Sequence, residues 1–231
     1  MATAALALAA GRGSRLGADR PKAFVHLAGI PLVVRSVRAL AAAQGIDWIQ
    51  PVIPAEDPGL WREAAQVLEG LEGLLAAVPG GAERQDSVRA GLDALPADVD
   101  LVAVHDAARA LVRPEDVARV VAVARAEGAA LLAAPARDTI KRVRDGRVLE
   151  TPPRETCWVA QTPQVFRREL LAEALAKAAA EGFVGTDDAQ LVERLGVPVY
   201  VVEGDPRNLK ITGPEDLVAA EARLAREGGA A

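Results

Sequence analysis

Leu8-Ala9-Ala10-Gly11-Arg12-Gly13-Ser14-Arg15-Leu16-Gly17, followed by Ala18-Asp19-Arg20-Pro21-Lys22, decides how this chain is read. Glycines let a backbone turn tightly and bring its N–H groups against an anion with no Cβ in the way. Arg12, Arg15, Arg20 and Lys22 crowd positive charge onto the same loop, opposed only by Asp19. That combination suits a triphosphate. The plain alternative is a Gly-rich connector with solvated charges. Position favours the first reading, because the loop follows an apolar segment at residues 4–9 and precedes a helix signal.

Two common phosphate loops are excluded. In a G-x-G-x-x-G fingerprint the third glycine would fall on Leu16, with Gly17 one place late, which disfavours a nicotinamide dehydrogenase. A P-loop needs Gly-Lys-Ser/Thr, and the chain has no Gly-Lys pair.

Working outward, residues 4–9 are rich in Ala and Leu and would be helical on propensity alone. We read them as a buried strand, because a strand feeding a glycine loop sets that loop at the C-terminal edge of a sheet. Pro31 opens a helix to about Ala43, and Trp48–Ile53 is a second strand. Asp57-Pro58 caps a helix to about Leu68, and Leu74–Val78 is a short strand. It runs into Gly80-Gly81-Ala82-Glu83-Arg84-Gln85-Asp86-Ser87 and an amphipathic helix to Leu95. Leu101-Val102-Ala103-Val104 is a buried strand delivering His105-Asp106-Ala107-Ala108-Arg109. Pro114 begins a helix to about Glu127, and Ala129–Ala134 is another strand.

This alternation predicts an α/β fold with a mostly parallel sheet covered by helices on both faces. The rhythm breaks after Pro135. Residues 138–143 and 147–149 flank Asp145-Gly146, a strong hairpin-turn signal. With few large apolar residues of its own, this arm at about 137–154 is expected to project and pack on a second copy, since an isolated hairpin is marginal in water. Cys157–Gln161 returns to the sheet. Helices near 167–180 and 187–195, a strand at Val199–Val202 and a helix from Pro214 complete one domain.

The 231 residues are 51% hydrophobic and 26% charged, ample for a folded core, and carry a net charge of −5. Nothing advertises a nucleic-acid or membrane surface, so the cationic loop is a local exception on an acidic protein. Cys157 is solitary, which excludes a disulfide framework or cysteine metal cluster and suits a small core residue. No basic leader precedes the first apolar run and no stretch has membrane-spanning length, so a cytoplasmic enzyme is expected.

Loops at the C-terminal ends of parallel strands line a ligand crevice, which gathers 10–22, 80–87, 105–109, 161–164 and 205–210. Asp106 at the rim suits Mg²⁺, which takes one or two protein carboxylates and completes its shell with phosphate oxygens and water. A helix N-cap is the other role open to it. His26 and His105 are the only histidines, neither in a metal-ligand spacing, and both read as structural. No nucleophile–base set suggests itself. A phosphate monoester, largely dianionic at neutral pH with a second pKa of about 6, needs no base to attack. Positioning and charge neutralisation would suffice.

The opening loop resembles the L-A-A-G-x-G-x-R-[ML]-G signature of nucleotidyltransferases, with Lys22 as its downstream Pro-Lys lysine. Further segments recur in order: Gly80-Gly81 with Arg84–Val88, Val104–Arg109, Ala134–Lys141, Gln161–Phe166, Thr186-Asp187-Asp188 and Asn208–Thr212. Together they cover nearly the whole chain and resemble the 2-C-methyl-D-erythritol 4-phosphate cytidylyltransferase family. The resemblance implies a Rossmann-like nucleotidyltransferase fold and a homodimer joined through the arm. It implies CTP lying along Leu8, Ala9, Ala10, Gly11, Arg12 and Gly13, with Gly81 and Ser87 at the cytosine and Asp106 near metal and ribose. Arg15 and Lys22 match the transition-state stabilisers. Arg109, Thr139, Arg154, Thr162, Thr186 and Lys210 match the substrate-positioning residues, with Thr139 and Arg154 reaching over from a partner. Ala82 stands where many relatives carry Asp, so a base or ribose contact there is lost or made by backbone. Rival readings are a cytidylyltransferase for ribitol 5-phosphate and a non-catalytic nucleotide-binding regulator; intact Arg15, Lys22 and Asp106 speak against the regulator.

Overall fold

Ala2–Leu8 forms strand β1, and its Ala4–Ala7 stretch is fully buried. Small side chains there let both faces of the strand be covered closely, and tertiary packing overrides the helical propensity of alanine. The computed structural model describes residues 2–11 and 20–228, so Arg12, Gly13 and Arg15 lie outside the described residues.

His26–Leu27 (β2) and Ile30–Pro31 (β3) make a small antiparallel ribbon that leads into helix α1, Leu32–Ala41. Trp48–Ile53 is β4, and α2, Pro58–Ala65, starts on Asp57, whose carboxylate accepts the Gly59 N–H at 3.1 Å. The expected strand at 74–78 shrinks to β5, Val78–Pro79, with a single bridge between Leu74 and Ile49. Gly70 and Gly73 adopt positive φ in the turn that precedes Leu74. Helix α3, Arg84–Asp93, opens with a capping box between Glu83 and Asp86. Strand β6 is Val99–Asp106, helix α4 is Pro114–Glu127, and Gly128 ends α4 at φ 94° ahead of β7, Ala129–Pro135.

The hairpin forms as expected, with β8 at Arg142–Arg144 shorter than the expected 138–143 and β9 at Arg147–Glu150 one residue longer than the expected 147–149. Asp145 and Gly146 turn it at φ 49° and 75°, the positive values that a two-residue hairpin requires. Strand β10 runs Trp158–Arg167, followed by helices α5, Arg168–Ala180, and α6, Asp188–Glu193. Strand β11, Tyr200–Glu203, and helix α7, Pro214–Gly228, complete the order.

The main sheet is ordered β11-β7-β10-β6-β1-β4-β5. All its strands run parallel except β10, which is antiparallel to both β6 and β7. This corrects the expected loop at 161–164. Those residues lie inside a central strand, where the register against β7 slips between Ala160 and Gln164. Proline is rare in central strands because it cannot donate to the ladder, and the bulge accommodates Pro163 here.

One core packs α1, α2 and α4 on the first face of the sheet through Val33, Leu40, Trp61, Val117 and Val120. The other packs α3, α5 and α6 through Val88, Leu92, Leu171 and Leu191. A smaller cluster of Leu27, Leu32, Ala110, Ile211 and Ala220 seats α7 against the residues that follow β6.

Candidate active site

The C-terminal ends of β1 and β6 lie side by side, and the ladder continues past them. The Ala107 N–H donates to the Leu8 carbonyl at 3.0 Å, and the Ala9 N–H donates to that of Val52 at 2.7 Å. Leu8, Ala9, Ala10 and Gly11 thus begin the glycine loop on a fixed footing, beside a cleft of about 670 Å³. Its lining includes those four residues with Lys22, Gly80, Gly81, Ala82, Arg84, Ser87, Asp106 and Lys210. The expected nucleotide residues among the described ones are therefore together.

Opposite the first loop, Gly80 and Gly81 meet α3 at close range. A Cβ on Gly80 would fall on Ala10 and on Ser87 Oγ, and one on Gly81 would fall on Asp86. Only glycine fits such an approach. The Gly81 N–H donates to Ser87 Oγ at 3.1 Å, and that hydroxyl lies 3.3 Å from the Glu83 carbonyl. The result is a narrow edge of backbone and hydroxyl, suited to a flat polar ring.

Asp106 sits at the end of β6 between cations. Arg84 Nε is 3.2 Å from Oδ1, and Lys210 Nζ is 2.7 Å from Oδ2. Lys210 is brought there because the Ile211 N–H donates to the Ala108 carbonyl at 2.9 Å, pinning the segment after β11 to the segment after β6. Burial would push the Asp106 carboxyl up, but Arg84, Lys210 and Arg109 together hold it well below the usual carboxylate range. It is ionised throughout the physiological range.

Beneath it lies a polar layer. Thr162 Oγ1 accepts the Asp106 N–H at 3.0 Å and stands 3.1 Å from His105 Nδ1. Asn208 donates to the Thr162 carbonyl at 2.9 Å and to Gln161 Oε1 at 3.1 Å. Burial lowers His105 to about 4, so the ring is neutral at physiological pH and shielded from solvent. His26 is exposed on its ribbon. The structural reading of His105 agrees with this placement.

The expected positioning residues divide. Lys210 lines the cleft, whereas Arg109 and Thr162 support its wall. Arg109 is held by the carbonyls of Asn208 at 2.8 Å and Ala160 at 3.1 Å. Thr186 is exposed ahead of α6, its N–H and hydroxyl both on Gln190 Oε1. Thr139 and Arg154 are exposed on the arm and do not line this cleft; Arg154 donates to the Arg137 carbonyl at 3.2 Å.

Two residues had no role in the sequence reading. Arg84 lines the cleft, and its Nη1 lies 2.7 Å from Oδ2 of the fully buried Asp188. The only sequence signal was a cation three residues after Gly80-Gly81 and a doubled acid after Thr186. Among the described residues no group of three acidic, histidine or cysteine side chains could hold a metal. A lone carboxylate at a phosphate-sized cleft still fits Mg²⁺ provided phosphate oxygens supply the remaining ligands.

Comparison with known proteins converges on one family. A family model described as 2-C-methyl-D-erythritol 4-phosphate cytidylyltransferase matches residues 3–226. The protein of that name from Pelotomaculum thermopropionicum is 45% identical over 98% of both chains. Among solved structures, the 4-diphosphocytidyl-2C-methyl-D-erythritol synthase of Anaerococcus prevotii superposes with a TM-score of 0.87 at 30% identity, covering 97% of this chain and 96% of that one. The 2-C-methyl-D-erythritol 4-phosphate cytidylyltransferase of Thermus thermophilus gives 0.78 at 38% identity, covering 98% and 100%.

Proposed function

This chain belongs to the 2-C-methyl-D-erythritol 4-phosphate cytidylyltransferase family, and from that premise we propose how its residues divide the work. The enzyme transfers the cytidylyl group of CTP to the phosphate of 2-C-methyl-D-erythritol 4-phosphate. A phosphate oxygen of the acceptor forms a bond to the α-phosphorus of CTP. The α–β bridging bond breaks, and its electron pair leaves on pyrophosphate. The nucleophile is already an anion, so no proton has to be removed. The low, buried His105 supports a mechanism without a histidine base.

In our reading Leu8–Gly13 cradles the triphosphate, and the narrow edge of Gly81 and Ser87 takes the cytosine. Lys22 and Arg15 balance charge that grows on the α-phosphoryl oxygens and the departing pyrophosphate. Lys210, Arg109, Thr162 and Thr186 position the acceptor from one chain, with Thr139 and Arg154 reaching in from a partner. Asp106 would hold Mg²⁺, which when bound neutralises phosphate charge and orients the α-phosphoryl group. The observation that carries this assignment is the convergence of Lys22, Arg84 and Lys210 with Asp106 on one cleft, faced by the Gly81–Ser87 edge.

The partner is proposed to be a second copy, clasped by the arm. Val143, Val148 and Leu149 on the arm, Trp158 and Val159 at its foot, and Tyr200 and Val201 on edge strand β11 are all exposed large apolar side chains. Such a grouping is unusual on a surface with no partner. Among the described residues no helix is long and apolar enough to cross a membrane, and the free thiol of Cys157 suits the reducing cytoplasm, where we place the enzyme.

Incubation with each of the four NTPs, Mg²⁺, and either methylerythritol phosphate or ribitol 5-phosphate tests the substrate pair. Pyrophosphate is expected from CTP with methylerythritol phosphate. Faster release with ribitol 5-phosphate would overturn the acceptor assignment.

A further inference from the structure

Neither oxygen of Asp106 stands alone. Lys210 takes one, and Arg84 takes the other while reaching back to Asp188. Arg84 is the first residue of α3, next to the Gly80-Gly81 edge, so its guanidinium enters the cleft between the base-reading loop and the acceptor side. Two carboxylates therefore share one guanidinium.

Their surroundings differ. Asp106 lines the cleft, where an incoming ligand can compete for it. Asp188 is fully buried at the start of α6, and its Oδ1 has no hydrogen-bond partner. A buried carboxylate without a counter-charge is strongly disfavoured, and Arg84 is the cation at its side. Asp188 thus anchors Arg84 in place, whereas the contact with Asp106 can be exchanged.

We propose that Arg84 is a placeholder on Asp106: it neutralises the carboxylate of the empty cleft and yields Oδ1 to a divalent cation that arrives with the nucleotide, staying anchored on Asp188. The proposal rests on the reading of Asp106 as the metal carboxylate. A carboxylate already carrying two cations attracts a free divalent ion poorly. The same ion brought in on a polyanionic triphosphate displaces the guanidinium, because the phosphates offset the surplus positive charge. Metal and nucleotide then enter together, and the cleft does not fill with metal alone.

The test is Mn²⁺ binding, followed by loss of the free-ion EPR signal, with protein alone and with CTP present. The double variant Arg84→Met, Asp188→Asn removes the placeholder without leaving a buried charge. It should bind Mn²⁺ without nucleotide about tenfold more tightly than wild type, on the scale of one neighbouring charge at partly buried distance. Asp188→Asn alone loosens the anchor and leaves the guanidinium to Asp106, so Mn²⁺ affinity with CTP should fall severalfold. Opposite signs from the two variants are not expected of a purely structural role. Asp106-dependent binding unchanged by removal of Arg84 would overturn the placeholder. Mn²⁺ binding that survives Asp106→Asn in the double background would instead overturn the metal assignment beneath it. Circular dichroism establishes folding. If the double variant fails to fold, Asp188→Asn decides alone, and unchanged or tighter Mn²⁺–CTP binding then refutes the proposal.

Discussion

Thr162 Oγ1 accepts the backbone N–H of Asp106 at 3.0 Å, so the last residue of β6 is braced by a side chain from the middle of β10. The brace holds the carboxylate carrier at the rim of the cleft. Thr162→Val keeps the shape and removes the acceptor, leaving a buried N–H unpaired at a cost of about 1–3 kcal/mol. Chemical denaturation should register that loss, and kcat should fall by about tenfold as Asp106 loses its seat. Thr162→Ser should restore most of both. A valine variant with native stability and turnover would show that the brace is dispensable.

His105 gives the fold a pH-dependent element. Its pKa is lowered from 6.5 to about 4 by burial, so between those values the unfolded chain binds a proton that the folded one refuses. Stability therefore rises with pH across that window and is lost as pH falls from 6.5 towards 4. The contribution is on the order of 3 kcal/mol if the ring stays fully buried. The drop in Tm from pH 6.5 to pH 4.5 should be shallower in His105→Gln than in wild type. Identical slopes would mean that other groups set the acid limb.

Lys22 lines the cleft at the start of the turn that follows the glycine loop. Lys22→Ala should lower kcat by roughly 10²–10³, the scale for losing one preorganised charge-stabilising group. CTP affinity should fall less, because the growing charge belongs to the transition state. Turnover and CTP binding measured on the same preparation separate the two effects. Near-normal turnover would remove Lys22 from the chemistry.

Arg154 is exposed on the arm and does not line its own chain's cleft. Co-expression of Lys22→Ala and Arg154→Ala chains, with isolation of the mixed dimer, tests the shared site. If Arg154 serves the partner, one site is intact and the other carries both lesions, so activity should be about half that of wild type for independent sites. A mixed dimer as poor as its parents would place Arg154 in its own chain's site.

Much of this arrangement could be read from the sequence because local chemistry fixed it. The loop after β1, the Gly80-Gly81 edge, Asp106 at the end of a buried strand and the Asp145-Gly146 turn all carry their signal within a few residues. The direction of β10 did not. A Gln-Thr-Pro-Gln run reads as a loop, and only pairing with β6 and β7 shows that it lies inside the sheet. Arg84 and Asp188 eluded the reading for a related reason. Each belongs to a different helix start, and no spacing along the chain indicates that the two meet.

The reversed strand also determines where the protein can change length. From Gln164 to Phe166 the chain is clamped between two neighbours, and one added residue would turn alternate side chains to the opposite face, driving Phe166 into the space that Val165 fills in the other core. The turn at 145–146 joins β8 and β9, which pair only with each other, so a change of length there leaves the register of the main sheet untouched. Four residues beyond Trp158, at the foot of the same arm, Thr162 braces Asp106, and there a single inserted residue would shift the support of the cleft carboxylate.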